Sequence, residues 1–255
     1  MKRQSQYDLQ HLEACTHCLI FEYEADALYS PDPLWKGDEP RSIEKANVER
    51  AYLANLALWL QHPSPTGFTL IFHMPEFDTF IIQASERCDR FLCHPDDKTE
   101  RIGVQDLEPA KGLFTALVKI QRQTSVWTAL RAVTAALQMN AEEIRYLLLW
   151  GALEALFGTM FEIKYRISQR LAFFIAGSRE EARSVFTTAK KAYDFRSKVA
   201  HGAWKRDQHS TALTATTEAL LRRALVRLLR DDHIAKQFLG SNEQREGYLD
   251  DLVFA

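Results

Sequence analysis

The stretch YDFRSKVAHG, residues 193–202, sets an arginine and a histidine five positions apart and follows them with a glycine. A histidine, with an ordinary pKa of about 6.5, can take up or deliver a proton near neutral pH. An arginine stays charged and offers a planar fork of donors that fits phosphate oxygens. Arg196 and His201 therefore have the residue types for acid–base chemistry at a phosphate. The same letters also spell an ordinary helix end. A histidine in the last turn meets the negative end of the helix dipole, a glycine suits the left-handed position that follows, and an arginine can pair with an acid on a neighbouring helix. On its own, an R-x4-H pattern in a helix is far more often an ending than a site.

The helix that carries the pair must be read next. At 100° per residue, Val185, Ala192, Phe195 and Val199 fall together as a core face. Asp194, Ser197 and His201 form a polar stripe on the opposite side, which Lys190 extends. Arg196 lies about 140° round from His201, at the edge of the core face. The start of this helix is marked by SREE, with Ser178 as cap and Glu181 three positions on; NAEE at 140–143 repeats the device with Asn140 and Glu143. The helix opened by NAEE runs to about Phe157. Between the two, EIKYRISQRLAFFIAG reads as a further amphipathic helix, and TALTATTEALLRRALVRLLRDD as a long one after them. Four or more antiparallel helices with short loops make a bundle. Trp150 is expected in its core. Glu154, inside an otherwise apolar helix, needs a partner if buried; Arg196, Arg166 and Arg170 are the choices.

Composition bounds the rest. The chain has 255 residues, 46% hydrophobic and 26% charged, which is the balance of a globular protein with a sizeable core. No apolar run reaches the roughly 18 residues that span a bilayer, and the first residues lack the apolar stretch of a secretion signal. A cytoplasmic protein with no membrane partner is the expectation. Residues 1–110 carry 10 Lys and Arg against 19 Asp and Glu, whereas residues 111–255 carry 22 against 15. The basic half is the one suited to a polyanion. The two halves also differ in pattern. Residues 45–61 have helical spacing, then FTLIFHM and FDTFII read as strands, and residues 84–105 as loop. Beyond Pro109 there is no further proline and helical periodicity is nearly continuous. The expected architecture is mainly α: an N-terminal mixed α/β region over 1–110 and an antiparallel helical bundle over 111–255. Cys15, Cys18, Cys88 and Cys93, with His17 and His94 beside them, offer a possible zinc site. Neither pair has a glycine-rich knuckle and the 69 residues between them carry no spacing signal. No metal and no cofactor are expected.

Three motifs in order carry a resemblance. Ala152-Leu153-Glu154 lies on one helix, the run from Arg166 to Ala172 reads R-I-S-x-R-x-A on the next, and Tyr193 to Gly202 reads Y-x-x-R-S-x-x-x-H-G at the end of a third. This order closely resembles the HEPN superfamily, and within it the Apea-like HEPN group, over about residues 125–235. One departure is Ser197, where many nuclease members have Asn or Asp directly after the arginine.

The resemblance implies a helical bundle that pairs with a second copy, so that two arginine–histidine motifs share a cleft. It implies a metal-independent endoribonuclease of a toxin–antitoxin or antiviral defence system, with Arg196 and His201 catalytic and RNA as substrate. Tyr193, Asp194, Ser197 and Lys198 are then candidates for orienting the histidine or holding phosphate, and Glu154 for bracing an arginine. Two alternatives stand beside it. One is a non-catalytic HEPN module that binds RNA or a protein partner, and the other is a zinc-stabilised structural adaptor.

Overall fold

A computed structural model of the chain describes residues 43–63, 67–68, 71–73, 81–83, 89–90, 102–159 and 161–254. Among these, nine helices dominate: α1 (Ile43–Gln61), α2 (Val104–Val118), α3 (Ser125–Gln138), α4 (Glu142–Phe157), α5 (Ile163–Ile175), α6 (Arg179–Ala200), α7 (Gln208–Arg230), α8 (Asp232–Leu239) and α9 (Asn242–Phe254). Four strand fragments lie between α1 and α2. β1 (Gly67–Phe68) pairs antiparallel with β4 (Asp89–Arg90), and β2 (Ile71–His73) with β3 (Ile81–Gln83), Phe72 opposite Ile82.

The caps explain why the helices start where they do. Thr124 accepts from the Trp127 N–H at 3.1 Å to open α3, and Ser178 from the Glu181 N–H at 3.2 Å to open α6. Asp207 and Ser210 cap α7 reciprocally, and Asp231 accepts from both His233 and Ile234 to open α8. Each such cap satisfies a backbone donor that the helix itself cannot. Helix α4 departs from expectation. It begins at Glu142 after Ala141, with no side-chain cap, so Asn140 does not play that role. Glu142 and Glu143 sit in the first turn instead, where carboxylates complement the positive end of the dipole.

Helix α7 runs through the middle of the assembly and packs on α1, α2, α4, α5, α6 and α8. Leu221, Ala224, Leu225 and Leu228 along it are essentially inaccessible. The pairs α3–α4 and α5–α6 join through short turns and pack along their lengths, as neighbouring antiparallel helices do. Trp150 is buried as expected, and so is the rest of the apolar side of α4. Val185, Ala192 and Val199 of α6 are buried, and Phe195 is half-buried against the same core.

A separate mixed α/β unit over 1–110 finds no support among the described residues. Helix α1 packs along α2, and its Leu56, Trp59 and Leu60 belong to the same continuous core as α3, α4 and α7. Helix α2 runs without a break through Pro109, and position 110/111 falls inside it.

The last helix was not legible as amphipathic. Helix α9 buries only Leu249 fully, with Tyr248 and Leu252 packed against the core, and ion pairs add to its hold on the bundle. Arg170 of α5, 2% exposed, donates to Glu246 at 2.7 Å and to Asp250 at 2.8 Å. Burial works against the charge on Arg170, but the two carboxylates more than offset it, and the guanidinium pKa is raised. Arg245 adds a bond to the Ala155 carbonyl at 2.9 Å.

Candidate functional site

Helix α6 ends in a closure built on glycine. The Gly202 N–H reaches the Val199 carbonyl at 3.0 Å and the Ala203 N–H reaches the Lys198 carbonyl at 2.8 Å. Gly202 has φ +69°, a left-handed conformation that an L side chain adopts at a cost. This motif sets His201 at the corner, just off the last turn, with its N–H on the Ser197 carbonyl at 3.2 Å. The imidazole is exposed and has no hydrogen-bond or ion-pair partner among the described residues. After the corner, Trp204 packs edge-on against Phe195 at 6.4 Å, and Arg206 pairs with Glu142 at 2.9 Å, which ties the connection to α4.

Arg196 faces elsewhere. Its guanidinium meets Glu154 of α4, Nη2 to Oε1 at 3.0 Å, with the two side chains 31% and 30% exposed. The closer oxygen is poorly aligned, and the bond with hydrogen-bond geometry goes to Oε2 at 3.4 Å. The guanidinium also lies over the Tyr193 ring, 5.7 Å from its centre, and that ring meets Trp150 edge-on at 5.2 Å. Arg196 is thus braced by one carboxylate and one aromatic face, while its Nε has no partner in the described chain. Of the three arginines that Glu154 was expected to choose among, Arg196 is the one. Arg166 lies near Glu162 at 3.6 Å and Asp250 at 3.8 Å, and Arg170 serves α9.

The remaining residues of the motif divide. Asp194 points across to Lys164 of α5 at 2.5 Å, so it is engaged with α5 and not with His201. The Ser197 hydroxyl is half-buried with no partner among the described residues. Lys198 is exposed and pairs with no carboxylate there. Two contacts that local sequence does not announce hold the helix in place. Lys164 grips Asp194, and the buried Tyr146 hydroxyl donates to the Ala192 carbonyl at 2.6 Å. Burial pushes the Tyr146 hydroxyl up to about 12, so it remains a neutral donor throughout the ordinary pH range. Only the i, i+4 and core-face spacing of α4 gave any hint that Tyr146 faces α6.

The cysteines with His17 and His94 lie outside the described residues. Among the described residues, no three His, Cys, Asp or Glu side chains gather as a metal ion would need. No described helix is long and apolar enough to cross a membrane.

Within one chain the exposed imidazole and the braced guanidinium project from different sides of α6, about 140° apart and one and a half turns along. Comparison of the chain with family models, with curated proteins and with solved structures returns no significant match.

Proposed function

We propose that the protein is a HEPN-type, metal-independent endoribonuclease that works in the cytoplasm as a homodimer, in a toxin or antiviral defence role under control of an antitoxin or defence partner. The observation that supports it best is the contrast on α6. A fully available histidine stands at a rigidly capped helix end, five residues from an arginine held by Glu154 and Tyr193. RNA carries its own nucleophile, the 2′-hydroxyl beside the scissile phosphate. One imidazole takes the hydroxyl proton as the oxygen attacks phosphorus. The guanidinium stabilises the charge on the equatorial oxygens. A second imidazole, His201 of the other copy, delivers a proton to the departing 5′-oxygen. The products are a 2′,3′-cyclic phosphate and a free 5′-hydroxyl.

The test is cleavage of single-stranded or looped RNA in EDTA with identification of the cyclic phosphate. His201→Ala should lose about 10²–10⁴-fold while melting as the parent does, since the exposed imidazole makes no hydrogen bond or ion pair among the described residues. Substrate with 2′-deoxy sugar at the scissile nucleotide should bind and resist cleavage. Full activity in His201→Ala, or equal cleavage of the deoxy substrate, removes the assignment.

A second reading, a HEPN module that binds RNA or a protein without cutting, is favoured by Ser197. A hydroxyl with no partner stands where a carboxamide or carboxylate would orient the neighbouring groups more firmly. Binding of RNA with no cleavage by the parent protein selects it.

A further inference from the structure

A shallow groove opens between the start of α5 and the middle of α6, lined by Phe161, Lys164, Tyr165, Lys190 and Tyr193 among others. We infer that this groove is a subsite for unpaired bases of single-stranded RNA, with Phe161 and Tyr165 as stacking platforms and Lys190 as the contact for phosphate. The inference rests on the ribonucleic-acid reading above and adds to it a second, separate patch that grips the strand away from the scissile bond.

Three observations carry it. The first is the exposure of aromatic surface. Phe161 is 78% exposed and Tyr165 49%, an arrangement that costs hydrophobic free energy unless something covers it. Tyr165 is held edge-on by Phe186 at 5.4 Å and so presents a fixed ring. The second is backbone. Glu162 sits at φ +52°, a left-handed conformation that a non-glycine residue rarely takes, and Thr159 bonds the Phe161 carbonyl. This turn holds Phe161 outward at some cost in strain. The third is charge. Asp194 is matched by Lys164, and Glu162, which also lines the groove, lies near Arg166, whereas the Lys190 ammonium forms no ion pair among the described residues and lies over the Phe186 ring at 5.2 Å.

The groove's Lys190 also falls in line with His201 along α6. Lys190, Asp194, Ser197 and His201 share one face of α6 and span about 16 Å at 1.5 Å per residue. A strand lying along that face reaches His201 at one end and the aromatic rings at the other. Aromatic rings beside a cation that can meet phosphate are a usual means of holding single strands without regard to sequence. A second copy of the chain fits less well, because the middle of a protein interface is depleted in lysine and burying Lys190 there would strand its charge.

The experiment uses the full chain and a fluorescein-labelled oligoadenylate with 2′-O-methyl sugars, which lacks the nucleophile. Phe161→Ala should weaken binding by about 5- to 150-fold, the range for loss of one stacked base. Phe161→Tyr should bind as the parent does and Phe161→Leu should not. An abasic version of the oligomer should bind Phe161→Ala and the parent equally. Light scattering should show the same oligomeric state for all. The inference is overturned if the parent fails to bind the oligomer, if Phe161→Ala binds unchanged, if Phe161→Leu restores binding, or if Phe161→Ala changes the oligomeric state, which would make the groove an interface between copies. Failure of the nuclease reading looks different: cleavable RNA binds with full dependence on Phe161 and is not cut. Cleavage that is insensitive to Phe161 would sink the subsite and leave the nuclease standing.

Discussion

Replacing Glu154 by glutamine tests whether Arg196 is held in place or merely happens to lie where it does. A unit-charge pair about 4 Å between charge centres is worth roughly 4 kcal/mol at an effective dielectric of 20. Desolvation offsets most of that. Fully exposed pairs net about 0–1 kcal/mol and breaking fully buried ones costs about 3–5 kcal/mol. With both side chains about 30% exposed, the loss should fall between, at about 1–2 kcal/mol. At about 2–4 °C per kcal/mol for a chain of this size, the midpoint drops by a few degrees. Activity should fall further than stability. Glutamine leaves the guanidinium a weaker anchor, with only the Tyr193 face to orient it, so part of the 10²–10³-fold that a transition-state donor supplies is lost, on the order of 10-fold in kcat/KM. The decisive measurement is the cycle. If Glu154 acts through Arg196, the double variant Glu154→Gln with Arg196→Ala cuts RNA no worse than Arg196→Ala alone. Additive losses, or a Glu154→Gln protein with parental kcat/KM, would refute the bracing argument.

Gly202→Ala should destabilise by about 1–2 kcal/mol from backbone conformation alone, because a methyl there meets no atom within 4 Å; urea denaturation reads it, and a change below the error of the method would contradict the left-handed closure. Glu218→Ala removes the carboxylate that pairs with the buried Arg145 guanidinium across α4 and α7. The expected cost is about 3–5 kcal/mol, seen as a large loss of melting temperature with RNA chemistry untouched in whatever fraction stays folded. Tyr146 bears on alkaline stability. Its folded pKa of about 12 lies above that of the unfolded chain, so the folded state holds the proton longer. The contribution is complete below about pH 10 and is lost as pH rises from there through 12. Stability of the parent should therefore fall across that window, and Tyr146→Phe should fall less steeply; equal slopes would place the alkaline loss elsewhere.

The helical half was readable where a helix buries one face of apolar residues at a period of 3.6, as α3, α6 and α7 do. Val185, Ala192 and Val199 could be placed from spacing alone, and Ser178 and Gly202 announce the two ends of α6 by chemistry that requires no tertiary context. Glu154 was readable as a residue in need of a cation, but the choice among Arg166, Arg170 and Arg196 depends on how α9 packs, which no local rule contains. Helix α9 escaped for the same reason. Its sequence, NEQREGYLDDLVF, shows only a short apolar face of Tyr248, Leu249 and Leu252, and ion pairs to Arg170 add to it. Asn140 misled because its residue type suits a cap while the chain enters α4 one residue later. The turn at Glu162, and the outward Phe161 that follows from it, has no signature in residue type at all, since a left-handed glutamate is an outcome of the surrounding packing.

The bond from Arg170 to Glu246 and Asp250 makes α9 a condition for the full stability of α5. Arg170 is placed 76 and 80 residues before its two counter-ions. During synthesis, α5 can pack on α6 and α7 as soon as those have emerged, but the two carboxylates that meet Arg170 are then missing and only the Phe157 carbonyl, at 3.4 Å, is in place to accept from it. The bundle reaches its full stability only when residues 246–250 have docked. A protein shortened before Glu246 would keep most of its apolar core and still lose stability, because Arg170 would lose both carboxylates that meet it.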